Sequence, residues 1–177
     1  MILAYRNTVK RDKNFTLDLD RKYLQKHPEE NYPNKPVGFY YQIKNCLFEL
    51  REMDWGRYYY NIKFKKGVLF NTMENLKDKK DRKKVLVLKN YDDVKTFAKK
   101  YLYKRCSLNW VKVTMDYDGF EIINYYSIKS QLTENKEIYL KKYNWFYALD
   151  FSQGCIWNLD IISSVEYSGK YKEYYIN

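Results

Sequence analysis

Three short segments of this chain, residues 35–41, 116–122 and 150–158, each combine a glycine with several aromatic residues. Glycine marks turns and points where two backbones approach closely, while aromatic and β-branched residues favour strands. We therefore expect these segments to form strand edges, contributed by distant parts of the chain, that line one cleft.

Strand and helix patterns follow one another without a regular alternation. Helical spacing of apolar residues predicts a helix that begins at Asn90 or Asp92 and continues through Leu102. A second helix is expected at 46–53 and single helical turns at 17–24 and 110–115. Strands are predicted at 2–5, 37–43, 58–64, 68–70, 85–88, 120–124, 145–149, 155–157 and 161–167. This order indicates an α+β fold with a mixed or antiparallel sheet rather than a doubly wound sheet.

The length of 177 residues suits one domain, and no internal repeat or low-complexity linker divides the chain. We therefore expect a single domain over residues 1–177. Within it, the charged stretch 7–34 is predicted to be an irregular excursion, and residues 169–177 form a polar tail rich in Tyr and Lys.

Several classes of site are unlikely on composition. The chain has three widely spaced cysteines and a single histidine, His27, so neither a disulfide framework nor a zinc site is expected. No glycine-rich phosphate loop and no nucleophile elbow occur, which argues against the common nucleotide-hydrolysis, dinucleotide and Ser-His-Asp folds. No apolar run approaches the length of a membrane span, and we expect a soluble, intracellular protein.

Lys and Arg exceed Asp and Glu by 33 to 22, which gives a formal net charge of +11. Basic clusters interleaved with tyrosines resemble a nucleic-acid surface. They are spread over the whole chain, however, and no recognised nucleic-acid-binding signature accompanies them. A coding sequence rich in A and T also produces Lys, Asn, Tyr and Ile, and this explains the charge without any partner.

The carboxylates around Gly119 are candidates for chemistry. Asp116, Asp118 and Glu121 surround this glycine at the start of a predicted strand. A carboxylate in an aromatic cleft can bind a hydroxyl group or stabilise a cationic transition state. The alternative is that Asp118 and Gly119 form an ordinary turn and that Glu121 is exposed on an edge strand.

Tyr40, Tyr41 and Arg6 are further candidates. Pro36 favours an extended entry into the strand, on which Tyr40 and Tyr41 point to opposite faces, so that one can stack on a flat ring. Core packing of both tyrosines is the alternative. Arg6 can reach an anionic or ribose group, or lie on the surface without a ligand.

The chain resembles the ADP-ribosyltransferase-like proteins related to plant-pathogen effectors of the XopAI type, which also occur in large DNA viruses and bacteria. The similarity extends over residues 32–162, in the order of the family pattern. The matching elements are residues 35–41, Trp55 with 58–60, 97–101, Trp110 with Val113 and 117–119, and 150–158.

This resemblance implies a split, mixed sheet that holds NAD, as a substrate, in a cleft between two small sheets. Glu121, Arg6 and Tyr40 would be the catalytic residues, with Tyr41 as the alternative tyrosine. Arg6 would hold the phosphates or ribose of NAD, a tyrosine would stack on nicotinamide, and Glu121 would bind the ribose hydroxyl. The cofactor-binding residues would be Arg6, Tyr40, Tyr41, Gln42 and Asp118.

The chain departs from the family pattern at Gln42, where relatives commonly have Ser. The family also contains members with degenerate catalytic positions. The leading expectation is transfer of ADP-ribose to a protein or a nucleic acid. The alternatives are a non-catalytic basic protein that binds nucleic acid or belongs to a virion, and an interaction module with a tyrosine-rich interface.

Overall fold

The structure, a computed structural model, describes residues 6–10, 13–30, 35–43, 58–77, 83–104, 107–137, 140–149 and 151–170. Its strands are β1 (Arg6–Lys10), β2 (Phe39–Ile43), β3 (Tyr58–Phe64), β4 (Leu69–Asn71), β5 (Lys84–Leu88), β6 (Leu102–Tyr103), β7 (Ser107–Leu108), β8 (Gly119–Ile122), β9 (Gln153–Ile156) and β10 (Ile162–Lys170). Its α-helices are α1 (Met73–Leu76), α2 (Tyr91–Tyr101), α3 (Trp110–Asp116), α4 (Tyr125–Glu134) and α5 (Asn144–Tyr147). Short 3-10 helices lie at Lys141–Tyr143 and Leu159–Ile161.

Eight strands form one continuous sheet in the order β10-β3-β1-β2-β9-β8-β5-β4. Neighbours from β10 to β8 are antiparallel, whereas β8, β5 and β4 are parallel. The predicted α+β single domain with a mixed sheet is therefore confirmed. The resemblance implies two small sheets with a cleft between them, whereas eight of the ten described strands form one sheet and β6 pairs with β7 in a separate two-stranded sheet.

Helices cover one face of the parallel half of the sheet. In α2 the Asn90 side chain caps the first turn by accepting a hydrogen bond from Asp93 N at 2.9 Å. The buried side of α2 then packs on the sheet through Val94, Phe97 and Tyr101. This helix-covered face of the sheet presents Leu86, Leu88, Phe120, Ile122 and Cys155.

Aromatic rings fill the space beneath the helices. Trp110 lies 5.4 Å from Phe120 and 5.9 Å from Trp145 between ring centroids, and Phe97 lies 5.2 Å from Trp145. Edge-to-face and tilted pairs at these distances add to the stability that burial provides. Much of the chain's aromatic content is therefore accounted for by core packing.

The second face of the sheet carries a separate apolar cluster. Its strand residues include Phe39, Tyr41, Ile43, Val85 and Ile156. The 3-10 helix Leu159–Ile161 and the segment before β2 pack on this face, the latter through Phe15 and Leu17. Because β5 is covered on both faces, it is a continuous apolar run, as expected of a parallel strand.

Some predicted elements differ from the structure. Residues 145–147, part of the strand predicted at 145–149, lie in α5 instead, because Trp145 and Phe146 are neighbours that must both be buried in the core. Residues 7–10, predicted to be irregular, lie in β1 between β2 and β3. The helical turn expected at 17–24 is absent from the described segment 13–30, and α4 was not predicted. The elements expected at 2–5 and 46–53 lie outside the described residues.

Candidate functional site

A phenol and a carboxylate meet in the middle of the sheet. Tyr41 of β2 is paired with Gly154 of β9, and Gly154 is paired on its other side with Glu121 of β8. Side chains at directly paired positions lie on the same face. The Tyr41 hydroxyl donates a hydrogen bond of 2.6 Å to Glu121 Oε1, across the intervening strand.

Gly154 makes this contact possible because it has no side chain. A Cβ atom at this position would lie 2.1 Å from Tyr41 Cζ and 2.4 Å from its hydroxyl oxygen. The tyrosine ring therefore lies directly over the glycine. The requirement at Gly154 is for space and not for an unusual backbone conformation.

Both members of the pair are buried, with Tyr41 and Glu121 each 2% exposed. A buried carboxylate is costly unless it is hydrogen-bonded, and a phenol is a suitable donor. The Phe64 ring lies 6.1 Å from the Tyr41 ring, so aromatic residues line this part of the second face. The sequence left two alternatives for Glu121, a carboxylate in an aromatic cleft or an exposed residue on an edge strand. In the structure Glu121 is buried on the interior strand β8, beside the Tyr41 ring.

Arg6 begins β1 and pairs with Ile43, two residues along β2 from Tyr41. Its backbone is therefore one strand away from the tyrosine. The contact expected of its side chain lies outside what the structure describes.

Tyr40 lies on the helix-covered face and does not meet Glu121. Its hydroxyl donates to the Pro36 carbonyl, and its ring packs beside Cys155. Burial, and then the neighbouring thiol, raise the pKa of the Tyr40 hydroxyl far above its ordinary range. Burial also raises the pKa of the Cys155 thiol. Of the two candidate tyrosines, strand alternation therefore brings Tyr41, and not Tyr40, to the carboxylate.

Gln42 also lies on the helix-covered face, where it pairs with Gln153. It is 8% exposed, and its Oε1 has no hydrogen-bond partner in the described part of the chain. The structure therefore separates Gln42 from the Tyr41–Glu121 pair.

Asp118 forms hydrogen bonds that connect separate parts of the fold. Its Oδ2 accepts a hydrogen bond of 2.6 Å from Lys84 N, and its Oδ1 accepts one from the Asn158 amide. Its carbonyl oxygen accepts from the backbone N–H groups of Trp157 and Asn158. Asp118 thereby joins the start of β5 to the chain after β9, and the protein itself uses both of its carboxylate oxygens.

A basic cavity was not predicted. It has a volume of about 540 Å³ and lies between the β3–β4 turn, the residue before β5 and the 3-10 helix Leu159–Ile161. Lys65, Lys66 and Lys83 line it together with Asp160. The basic clusters were visible in the sequence, but only the fold shows that residues 65–66 and 83 meet.

The described residues contain no group of three or more His, Cys, Asp or Glu side chains that could hold a metal ion. None of their helices is long and apolar enough to cross a membrane.

Comparison with known proteins adds no relative: the chain matches no protein-family model, no curated protein and no solved structure.

Proposed function

We propose that this protein binds NAD and transfers ADP-ribose to a protein or nucleic-acid target, with Glu121 as the essential carboxylate and Tyr41 as its partner. The observation that carries the proposal is the 2.6 Å hydrogen bond between these two side chains, held over Gly154 by three adjacent strands. A carboxylate held in a low-dielectric site by rigid strands is what stabilisation of a developing positive charge requires.

In this reaction the bond between ribose C1′ and the nicotinamide nitrogen breaks, and its electron pair moves to the nicotinamide ring. A nucleophile of the target then forms a bond to C1′ and loses its proton. Glu121 binds the ribose hydroxyl and stabilises the positive charge that develops at C1′. The Tyr41 hydroxyl holds one carboxylate oxygen of Glu121 in place through its hydrogen bond.

The burial of Tyr41 and Glu121 limits how NAD can reach the carboxylate. Because Glu121 and Tyr41 are each 2% exposed, NAD reaches the carboxylate only when the groups above the second face move aside. Such enclosure also keeps water from competing with the target for ribose C1′. Binding of NAD is therefore expected to be coupled to an opening of this face.

A second candidate is a non-catalytic protein that binds nucleic acid. The observation that favours it is the net charge of +11, together with a lysine placed over a partly buried tyrosine ring, Lys95 over Tyr91 at 4.8 Å. Positive charge interleaved with aromatic rings suits single-stranded nucleic acid. Loss of nucleic-acid binding with rising salt, without any effect of NAD, identifies this function.

The test is incubation of the purified protein with labelled NAD and a cell lysate, with nicotinamide release and labelled macromolecules both measured. We expect Glu121→Gln to lower turnover by at least about 100-fold, the scale on which loss of one charge-stabilising group acts. Tyr41→Phe is expected to lower it less, because the carboxylate remains.

Two matched variants control for general damage. Glu166→Gln removes a half-exposed carboxylate on β10, and Tyr40→Phe removes a phenol on the helix-covered face. Both are expected to retain turnover. Unchanged NAD turnover in Glu121→Gln contradicts the assignment of Glu121. No turnover in any variant, with no change in melting temperature on addition of NAD, favours the non-catalytic function.

A further inference from the structure

The basic cavity described above is formed by three separate parts of the chain. Lys65 and Lys66 come from the turn between β3 and β4, Lys83 directly precedes β5, and Asp160 belongs to the 3-10 helix after β9. Its volume of about 540 Å³ lies in the range of small-ligand sites.

The backbone that carries these lysines is held at fixed positions. Lys65 N donates to the Ile161 carbonyl at 2.9 Å, and Leu69 N donates to the Lys83 carbonyl at 3.0 Å. Between them Gly67 has φ +89°, a left-handed conformation that glycine adopts without strain. The turn, the start of β5 and the 3-10 helix are therefore joined into one frame around the cavity.

The positive charge of the three lysines around the cavity is poorly neutralised by carboxylates. Neither Lys65 nor Lys66 forms an ion pair with a carboxylate in the described ranges of the chain. Lys83 Nζ lies 3.9 Å from Asp118 Oδ1, but that carboxylate already accepts hydrogen bonds from Lys84 N and Asn158. Three ammonium groups around one concave surface repel one another, and a bound anion would relieve that repulsion.

We infer that this cavity binds a ribose phosphate, the shared unit of free ribonucleotides and of RNA. Lys65, Lys66 and Lys83 supply the positive charge that a phosphate group requires. Asp160 supplies the hydrogen-bond acceptor that a ribose hydroxyl requires, and such a contact distinguishes RNA from DNA.

This site is separate from the Tyr41–Glu121 pair. Glu121 is paired with Val87 of β5, four residues beyond Lys83, which corresponds to about 13 Å along the strand. The inference therefore goes beyond the proposed transferase activity, and ribose-phosphate binding is expected to be unchanged in Glu121→Gln.

The experiment measures the binding of three probes by the full chain: ADP, an oligouridylate of about 12 nucleotides, and the matching oligodeoxyuridylate. The double variant Lys65→Glu/Lys83→Glu is compared with Lys89→Glu/Lys112→Glu, which makes the same charge change at exposed positions outside the cavity. Circular dichroism establishes that both double variants are folded.

We expect the cavity variant to bind ADP or the oligouridylate at least about tenfold more weakly than the wild-type chain, and the control to lose less than about threefold. Dependence of ADP binding on the cavity indicates free nucleotides as the source, and dependence of oligouridylate binding alone indicates RNA. Asp160→Asn is expected to reduce the preference for the oligouridylate over its deoxy counterpart. Equal losses in the two double variants, or no binding of any probe by the wild-type chain, overturn the inference.

Discussion

The contact between a tyrosine and a carboxylate depends on the size of the residue between them, as the positions of Tyr41, Gly154 and Glu121 show. The tyrosine reaches the carboxylate only because the residue between them lacks a side chain. The requirement that residue 154 lack a side chain does not depend on any reaction. It can therefore be tested by measurements of stability alone.

Gly154→Ala is expected to lower the free energy of unfolding by about 1–3 kcal/mol, because the new methyl group overlaps the Tyr41 ring. In a Tyr41→Ala background the same change is expected to cost at least about 1 kcal/mol less. Denaturant unfolding of the four proteins in this double-mutant cycle gives the coupling.

Tyr40→Ala provides the matched cycle, because Tyr40 lies on the other face of the same strand. Its effect and that of Gly154→Ala are expected to add. Additivity in the Tyr41 cycle as well would show that the ring does not lie over the glycine in solution.

At the scale of elements, the sequence predicted those whose pattern is local. Tyr58–Phe64 alternates and forms β3. Asn90, one of the two residues predicted to begin the helix, caps α2. α5 was missed because its aromatic run resembles a buried strand, and β1 was missed because its pairing depends on strands far away in the chain. The sequence also predicted that Tyr40 and Tyr41 face opposite ways, but the tyrosine that meets Glu121 depends on register with β9 and β8.

Glu137 joins two elements of the helical layer. Its Oε2 accepts hydrogen bonds from Tyr91 of α2 at 2.8 Å and from Tyr143 at 3.4 Å, and its Oε1 lies 3.6 Å from Lys95. Partial burial alone raises the pKa of Glu137, but the hydrogen bond from Tyr91 and the charge of Lys95 outweigh it and lower that pKa overall. The ionised form therefore stabilises the fold.

Glu137→Gln is expected to lower the free energy of unfolding at pH 7 by about 1 kcal/mol. A lowered pKa in the folded state gives stability that is present above about pH 4.5 and is lost as the pH falls through the folded value. The difference between wild type and variant is therefore expected to shrink on acidification. Urea unfolding from pH 7 to pH 3 measures it, with Glu134→Gln on α4 as the exposed control. A difference that stays constant with pH would contradict this role.

At the scale of the whole molecule, the net charge of +11 acts on stability as well as on binding. Like charges spread over a compact chain repel one another and favour unfolding. Isolated surface ion pairs, such as Lys63 with Glu166 at 2.6 Å, offset little of this because solvent screens them.

Raising NaCl from about 10 mM to about 150 mM is therefore expected to raise the melting temperature, since the screening length falls from roughly 30 Å to 8 Å. The variant Lys89→Glu/Lys112→Glu lowers the net charge by four units, two for each change, and should show a smaller rise. Differential scanning calorimetry makes the comparison. A melting temperature that falls with salt would mean that attractive ion pairs outweigh the repulsion.

The irregular pairing of β10 has a consequence for contacts between copies of the chain. β10 is an edge strand of nine residues, and its register with β3 shifts between Ile162 and Ser164 and again between Tyr167 and Gly169. A long straight edge offers a row of backbone groups on which another strand can assemble. Two interruptions bend and twist this edge, so β10 is a poor template for fibril growth. The two register shifts thus protect a tyrosine-rich sheet from edge-to-edge strand pairing with another copy of the chain.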